Sequence, residues 1–329
     1  MMQRILHTMG PESRIYIAGH SGLVGSAIVR RLQEQGFHNL LLPRRSELDL
    51  TRQDDVERFF GSEKPEYVFM AAARVGGILA NDTYPADFIR DNALIEMLML
   101  DAAHRHGTER VLFLGSSCIY PKHAPQPMKE EYLLTGLLEP TNEAYAIAKI
   151  LGIKAVEAYR RQHGVRWISA MPTNLYGPND NFDLQTSHVL PAFIRRFHEA
   201  KEGEAASVTV WGSGTPRREF LHVDDLADAL VFLMQNYDGE GFVNIGVGED
   251  VTIRELAELV RRVVGYEGTI EFDTSKPDGT PRKLMDVSRL TQLGWRARIG
   301  LEEGIRLTYD WYRGSLDSEG SLPGARAAV

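Results

Sequence analysis

The chain has 329 residues, of which 43% are hydrophobic and 25% are charged, and its formal net charge is −8. This composition is typical of a globular protein with a sizeable core, and the negative charge argues against binding to nucleic acid or to an anionic membrane. The single cysteine, Cys118, excludes an intramolecular disulfide. No apolar run approaches the roughly 20 residues that span a bilayer, and Met1–Ser13 lacks the apolar region of a signal peptide, so we expect a cytoplasmic protein.

The segment Arg14–Leu32 predicts a buried strand, a glycine-rich turn and a helix in immediate succession. Gly19, Gly22 and Gly25 lie three residues apart in the turn. Glycines let the backbone approach a pyrophosphate closely, and the N-terminus of the following helix offers N–H groups to the phosphates. Most isolated glycine triplets are ordinary loops, but this strand–turn–helix context indicates a dinucleotide site.

The residue that distinguishes NAD from NADP is expected about twenty residues after the last glycine. The end of the second predicted strand carries Arg44 and Arg45 and no carboxylate. A forked guanidinium suits the 2′-phosphate of NADP, although two solvated surface arginines are the alternative. Asp49, followed by Leu50, is a candidate adenine contact because a carboxylate accepts a hydrogen bond from the exocyclic amine. The sequence therefore predicts an NADP site.

Strand and helix patterns alternate from Arg14 to about Ala170, which predicts an α/β fold with a doubly wound parallel sheet. The further strands are predicted at Asn39–Leu42, Tyr67–Ala71, Arg110–Leu114 and Arg166–Met171. The helices are predicted at Leu23–Gln35, Asp54–Phe60, Ala86–His106 and Asn142–His163.

After Pro172 the elements become short and of mixed order, which is typical of a smaller mixed α/β substrate-binding lobe. The patterns of Asp224–Asn236 and Phe242–Ile245 are those of a helix and a strand that can return to the first sheet. We therefore expect an NADP-binding domain over residues 1–172 with returning elements near 222–246, a substrate lobe over 173–315 and a flexible tail over 316–329.

Tyr145 and Lys149 lie four residues apart in the sequence EAYAIAK, which places both side chains on one face of a helix. Because a lysine ammonium favours the phenolate, we expect Lys149 to lower the pKa of Tyr145 from about 10. Ser116, at the end of an apolar run, can donate to the same carbonyl oxygen that Tyr145 protonates. Many long helices offer a tyrosine–lysine pair, but with the glycine turn these residues predict hydride transfer to a ketone.

With these motifs the chain resembles the extended short-chain dehydrogenase/reductases, and within them the 3,5-epimerase/4-reductases that act on GDP-4-keto-6-deoxy-mannose. The resemblance extends from about residue 14 to residue 312. The glycine turn and the Tyr-x-x-x-Lys spacing are shared by the whole superfamily. The segments GSSCIYP, SHVLPA and KPDGTPRK are much more specific to this one activity.

The resemblance implies a bifunctional NADP-dependent enzyme. Ser116, Tyr145 and Lys149 would form the reductase triad, and Cys118 and His188 the acid–base pair of the epimerase. The NADP-binding residues would be Gly19, His20, Ser21, Gly22, Leu23, Val24, Gly25, Arg45, Asp49, Leu50, Leu114, Gly115, Ser116, Ser117, Lys149, Pro172, Thr173, Asn174, Leu175 and His188. The GDP-sugar would be bound by Arg196, Trp211, Arg218 and Asp278.

One residue departs from the pattern of the superfamily branch. The related enzymes often have arginine directly after the glycine–histidine pair of the turn, whereas this chain has Ser21. Binding of the 2′-phosphate would therefore depend more on Arg45.

The resemblance also implies a homodimer through the helices predicted at Ala86–His106 and Asn142–His163. No metal site is predicted.

Each site residue also has an ordinary structural explanation. Cys118 can be a small buried hydrophobe, His188 a residue at a helix start, Trp211 a core aromatic, Arg218 a salt-bridge partner of Glu219 or Asp224, and Asp278 a stabiliser of its turn.

Two other functions remain open for the whole protein. A single-function sugar-nucleotide epimerase or dehydratase usually lacks the cysteine, and a non-catalytic NADP sensor typically loses the tyrosine or the lysine.

Overall fold

The computed structural model describes residues 9–276 and 278–319. The strands are β1 (Ile15–Ala18), β2 (Leu40–Leu41), β3 (Tyr67–Met70), β4 (Arg110–Leu114), β5 (Ile168–Pro172), β6 (Asn174–Tyr176), β7 (Ser207–Trp211), β8 (Arg217–Arg218), β9 (Phe220–His222), β10 (Val243–Ile245), β11 (Val251–Thr252), β12 (Thr269–Asp273) and β13 (Arg282–Lys283). The α-helices are α1 (Leu23–Glu34), α2 (Gln53–Glu63), α3 (Ile78–Thr83), α4 (Pro85–Arg105), α5 (Glu143–His163), α6 (Val189–Glu202), α7 (Val223–Asn236), α8 (Ile253–Val264), α9 (Ser288–Gln292) and α10 (Leu301–Glu319).

Six parallel strands form the central sheet, in the order β10-β5-β4-β3-β1-β2. The side chains on the two faces of β1 pack in two different hydrophobic cores. Ile15 and Ile17 pack with α1 and α7, whereas Tyr16 and Ala18 pack with α2, α4 and α5. Because helices cover both faces, the central strands are continuous apolar runs rather than alternating ones. The predicted doubly wound α/β fold is confirmed.

The strand order reverses between β1 and β3, because β2 lies on one side of β1 and β3 on the other. In open parallel sheets, ligands bind at the carboxyl ends of the strands where the order reverses. The glycine turn after β1 lies at this point, and the segment after β4 that carries Ser116 and Cys118 lies at the same edge of the sheet. The topology therefore places the predicted cofactor and catalytic residues together.

The second lobe consists of three small sheets and the helices packed on them. β12 pairs in parallel with β7, β8 pairs with both β11 and β13, and β6 pairs in parallel with β9. Its core is rich in aromatic side chains and packs α6, α8 and α10 together. In the β8–β13 pair Lys283 is the register partner of Arg218, so two cations lie side by side.

The chain crosses back from the second lobe to the first sheet. α7 packs against α1, and β10 adds a parallel strand beside β5, with Val243 opposite Ala170. Glu219, which is fully buried, accepts hydrogen bonds from the backbone N–H groups of Val247 at 2.7 Å, Gly248 at 2.7 Å and Met285 at 3.0 Å. One carboxylate thus joins the end of β10 to the segment after β13.

Two ends of elements differ from the sequence-based expectations. α7 begins at Val223 with His222 as its N-cap, whose Nδ1 accepts from the Asp224 N–H at 3.3 Å, so the cap is not an aspartate. α10 continues through Glu319, four residues into the predicted tail, and residues 320–329 of that tail lie outside the described residues. In the part of the chain that the structure describes, no helix is both long and apolar enough to cross a membrane.

Candidate active site

The turn between β1 and α1 fits a pyrophosphate. Gly19 has a φ of +79°, and a Cβ there would lie 2.9 Å from the backbone of Ala72. A Cβ on Gly25 would lie 2.1 Å from the carbonyl oxygen of Gly19, so the turn itself requires both glycines. A Cβ on Gly22 would meet only that oxygen, at an ordinary 3.5 Å. Internal packing therefore does not require a glycine at position 22, and the absence of a side chain there leaves the turn open to a ligand.

The start of α1 is electrostatically suited to phosphates. Its N-cap, Gly22, provides no side-chain hydrogen bond, and the first turn contains no acidic residue. The positive end of the helix dipole and the backbone N–H groups of Leu23 and Val24 are thus not opposed by a local carboxylate. The predicted residues from Gly19 to Gly25 together form a turn whose geometry and charge suit phosphates.

The loop after β2 approaches this turn. Burial lowers the pKa of the His20 imidazole, with the charges of Glu47 and Arg44 acting in opposite directions on the same ring. Arg45 is exposed and makes no ion pair with the described residues. Asp49 is partly engaged, because its Oδ1 accepts from the backbone N–H of Thr51 at 3.0 Å and from its hydroxyl at 2.7 Å. Arg45 is free to bind a 2′-phosphate, and Asp49 has its second oxygen left for an adenine.

The remaining predicted cofactor residues lie at the ends of β4 and β5. The side chain of Leu114 packs in the core, and that of the partly buried Leu175 packs against it. Thr173 is buried, and the Asn174 amide donates to the carbonyl of Glu219 at 2.8 Å. A Cβ on Gly115 would lie 2.2 Å from the sulfur of Met171, which explains the glycine by packing.

The predicted reductase triad is brought together at the end of β4. Tyr145 and Lys149 lie one turn apart on α5, with the Lys149 Nζ 5.7 Å from the centroid of the Tyr145 ring. The Tyr145 hydroxyl forms a hydrogen bond with Ser116. Ser116 Oγ also accepts from the Cys118 N–H at 3.5 Å, and Ser116 caps the short 3-10 helix Ser117–Ile119. A carbonyl oxygen placed between Tyr145 and Ser116 can meet both hydroxyls.

The pKa of Tyr145 moves in the opposite direction to the expected one. Burial raises this pKa well above its usual value, the charges of Cys118 and Glu96 raise it further, and the hydrogen bond with Ser116 lowers it. The expected lowering by Lys149 does not prevail, because that ammonium is compensated by Glu96 at 3.1 Å. Tyr145 therefore retains its proton at neutral pH, which is the form that a proton donor needs.

Sequence reasoning missed Glu96, which lies on α4. Glu96 and Lys149 are 1% and 2% exposed, and they form a buried ion pair between α4 and α5. Burial raises the pKa of the Glu96 carboxyl, and Lys149 opposes that shift. The contact joins two helices far apart in sequence, so neither spacing nor periodicity could have indicated it.

Cys118 lines a narrow cleft together with Ser117 and Lys283. Burial raises the pKa of the Cys118 thiol, against the lowering effects of Ser116, Lys283 and Lys149. His188 is the N-cap of α6 and its side chain is exposed; desolvation by the surrounding protein atoms and the charge of Lys283 lower the pKa of its imidazole. Lys283, which sequence reasoning also missed, therefore acts on both predicted epimerase residues.

The protonation states of this pair follow from the two pKa shifts. The two shifts favour a neutral thiol and a neutral imidazole, because desolvation disfavours the charged form of each group and Lys283 opposes a second positive charge on His188. The pair can still exchange protons on the two faces of a ring, with the ionic form as a minor population.

A second, open cleft is lined by Trp211, Arg218 and Asp278. Trp211 is 64% exposed rather than a core residue, and the guanidinium of Arg196 lies 6.0 Å from its ring centroid. Arg218 makes no ion pair with the described residues, because Glu219 accepts backbone N–H groups and Asp224 pairs with Arg30. An exposed aromatic ring beside two unpaired guanidiniums suits a nucleoside diphosphate.

Asp278 is engaged by the turn that follows Trp211. Its Oδ1 accepts from the Ser213 N–H at 2.9 Å and its Oδ2 from the Ser213 hydroxyl at 2.7 Å. A Cβ on Gly212 would lie 2.4 Å from Asp278 Oδ1, so the carboxylate packs directly against the backbone of this glycine. Asp278 thus stabilises the turn that positions Trp211 and lines the same cleft.

Comparison with known proteins gives consistent matches. A model of the NAD dependent epimerase/dehydratase family matches residues 15–246. GDP-L-fucose synthase 1 of Arabidopsis thaliana is 65% identical over 301 residues, covering 92% of this chain and 93% of the plant protein. GDP-L-fucose synthase of Escherichia coli (strain K12) is 56% identical over 310 residues, covering 92% and 97%. A solved GDP-L-fucose synthetase from Naegleria fowleri bound to NADP matches with a TM-score of 0.88 at 28% identity, covering 94% and 96%.

Proposed function

This chain belongs to the NAD dependent epimerase/dehydratase family, and we propose that it converts GDP-4-keto-6-deoxy-D-mannose to GDP-L-fucose. It inverts C3 and C5 of the sugar and then reduces the C4 ketone with NADPH. The observation that carries this proposal is that the hydroxyl of Ser116 contacts both Tyr145 and the Cys118 backbone. The reductase and epimerase residues can therefore act on the same substrate ketone.

The cofactor would be held by the glycine turn, by Arg45 and by Lys149, and when bound it supplies the hydride for C4. The chain's own part in the reduction is to hold the ketone oxygen and to deliver a proton to it. Ser116 orients that oxygen, and the Tyr145 hydroxyl donates its proton as negative charge develops there. The raised pKa of Tyr145 keeps the proton in place until then.

The epimerisation uses the same ketone. A carbonyl at C4 acidifies the protons on C3 and C5, and the hydroxyls of Ser116 and Tyr145 can stabilise the enolate oxygen that each deprotonation creates. Cys118 and His188 would act on opposite faces of the ring, one removing a proton and the other returning one. The diphosphate would lie on Arg218, whose register partner Lys283 faces Cys118.

The exchange of C3 and C5 protons with solvent is expected to show a broad, level pH profile. When the base has a raised pKa and the acid a lowered one, the ionic pair is a constant minor fraction between the two pKa values. The rate should fall at low pH, as the thiolate is lost, and at high pH, as the imidazolium is lost. Initial deuterium incorporation without NADPH, measured against pD, tests this. A narrow optimum at neutral pH would contradict the assigned protonation states.

Cofactor preference is expected to depend on Arg45. In Arg45→Glu a carboxylate repels the 2′-phosphate of NADP and can accept from the ribose hydroxyl of NAD, so preference should move toward NADH. The kcat/KM ratio for NADPH over NADH measures the change. Arg52→Glu is a matched control, since Arg52 is exposed nearby and pairs with Asp55. An unchanged ratio in Arg45→Glu would transfer the role to Arg44.

The assembly is proposed to be a homodimer through α4 and α5. These two helices pack against each other and leave Leu94, Ile147 and Leu151 exposed on their outer side. A second copy can cover these apolar side chains with its own α4 and α5.

We place the enzyme in the cytoplasm, where a free thiol such as Cys118 stays reduced.

The decisive test is NADPH oxidation with a panel of nucleotide sugars. Steady oxidation with GDP-4-keto-6-deoxy-mannose, and none without it, is the expected result. Turnover of a sugar nucleotide without net NADPH consumption would favour a single-function epimerase or dehydratase. Tight NADPH binding without turnover of any keto sugar would favour a sensor.

A further inference from the structure

The ammonium of Lys149 lies between α4, α5 and β4 and has a single acidic partner among the described residues. That partner is Glu96, with its Oε1 3.1 Å from the Lys149 Nζ. The ring of Phe113 lies beneath the ammonium, with its centroid 5.0 Å from Nζ. The carboxylate is on the opposite helix, so it fixes the lysine from outside the helix that carries it.

The packing around Glu96 leaves the carboxylate little freedom. A Cβ on Gly152 would lie 2.8 Å from Glu96 Oε2 and 2.3 Å from the Phe113 ring. Only a glycine at this point of α5 therefore lets the carboxylate approach Lys149. The Gly152 N–H also faces the carboxylate. A buried charge that is held by this much surrounding structure has a defined position, unlike a surface ion pair.

We propose that Glu96 is a positioning residue of the reductase site, which holds the Lys149 ammonium charged and in place beside Tyr145 without touching substrate or cofactor. The inference rests on the function proposed above. Each charge of a buried ion pair offsets the desolvation cost of the other, and Glu96 is the acidic group that contacts Lys149.

The other charged or titratable groups that face this pair are few. Tyr145 lies on the same helix as Lys149, and the Glu96 charge acts on its phenol. Cys118 lies on the segment after β4, and the Lys149 charge acts on its thiol. β4 itself contributes the uncharged ring of Phe113. Glu96 thus balances the lysine, so that Tyr145 and Cys118 face a nearly neutral pair rather than a free cation.

The test compares Glu96→Gln, Glu96→Asp and the parent in NADPH-dependent reduction as a function of pH. Glu96→Gln keeps the shape and removes the charge, so we expect kcat to fall on the order of tenfold and the alkaline limb of the profile to move about one unit or more toward lower pH. Glu96→Asp restores the charge, so its alkaline limb should return toward the parental position. Asp101→Asn, an exposed carboxylate on the same helix paired with Arg105, should leave the profile unchanged.

A double variant separates positioning from a purely structural role. If Glu96 acts through Lys149, adding Glu96→Gln to Lys149→Met should cause no further loss of reduction. A further loss in the double variant, or a parental pH profile in Glu96→Gln, would overturn the inference. If Glu96→Gln does not fold, the kcat of Glu96→Asp decides, since a shortened carboxylate that keeps its charge should hold Lys149 less well and lower kcat, whereas the loss of a bystander should leave kcat unchanged.

The dissociation constant of NADPH, followed by its fluorescence, distinguishes this inference from the proposed function. Lys149 lies in the cofactor site, so Glu96→Gln should weaken NADPH binding several-fold even if the sugar substrate is not the one proposed. Unchanged binding together with an unchanged pH profile would show that Glu96 only packs. A parent that binds NADPH but does not reduce GDP-4-keto-6-deoxy-mannose would overturn the function alone.

Discussion

Tyr145→Phe is expected to lower the rate of NADPH-dependent reduction of the C4 ketone by roughly 10²–10⁴. The variant keeps the ring that packs edge-on against Phe88 at 6.3 Å but removes the proton that Tyr145 delivers. Binding of the GDP-sugar should change little, because the guanidiniums that suit the diphosphate lie on other elements. Single-turnover oxidation of NADPH, followed by its absorbance, reports the chemical step directly.

Tyr159→Phe is the matched control for this prediction. Tyr159 lies on the same helix, and its hydroxyl interacts with Asp101 away from the site. It should reduce at the parental rate. A near-parental rate in Tyr145→Phe would show that another group donates the proton, and the assigned triad would then be wrong.

Cys118→Ser is expected to nearly abolish deuterium uptake at C3 and C5 from heavy water. Serine keeps the size of the side chain, but its hydroxyl is far less acidic than a thiol, so the base is lost. Ser116, Tyr145 and Lys149 remain in this variant. A slow direct reduction of the unepimerised ketone should therefore survive, which makes the two activities separable in one protein.

The surviving reduction is the internal control for the Cys118 variant. If uptake and reduction are lost together, the substitution has disturbed the shared carbonyl site rather than the base alone. His188→Gln should give partial or misdirected exchange, because proton return is impaired while removal by Cys118 is not. Exchange at the full rate in Cys118→Ser would make Cys118 an inert buried cysteine.

Local patterns predicted most of the fold and the spatial order of the site. The spacing of Tyr145 and Lys149 indicated their shared helix face, and the glycine turn indicated where the cofactor domain begins. Strands β3 and β4 lie within one residue of their predicted bounds. These features depend on neighbours in the sequence, where helix and strand periodicities are reliable guides.

The features that the sequence did not indicate depend on contacts between distant segments. The Glu96–Lys149 pair requires α4 to lie against α5, and the position of Lys283 requires the pairing of β13 with β8. The expected lowering of the Tyr145 pKa was wrong, because removal of water from the phenol outweighs the charge of the nearby lysine. Such desolvation is a property of the assembled cleft and not of residue spacing.

The return of α7 and β10 to the first sheet has a consequence for how this enzyme can be divided. A fragment ending at Pro172 would leave β5 as a bare sheet edge and would expose the face of α1 that α7 covers. The cofactor half is therefore not a module that can be excised or exchanged at a single cut. Hybrids with related enzymes should require two exchange points, one on each side of β9–α7–β10, so that the returning strand stays with the sheet it completes.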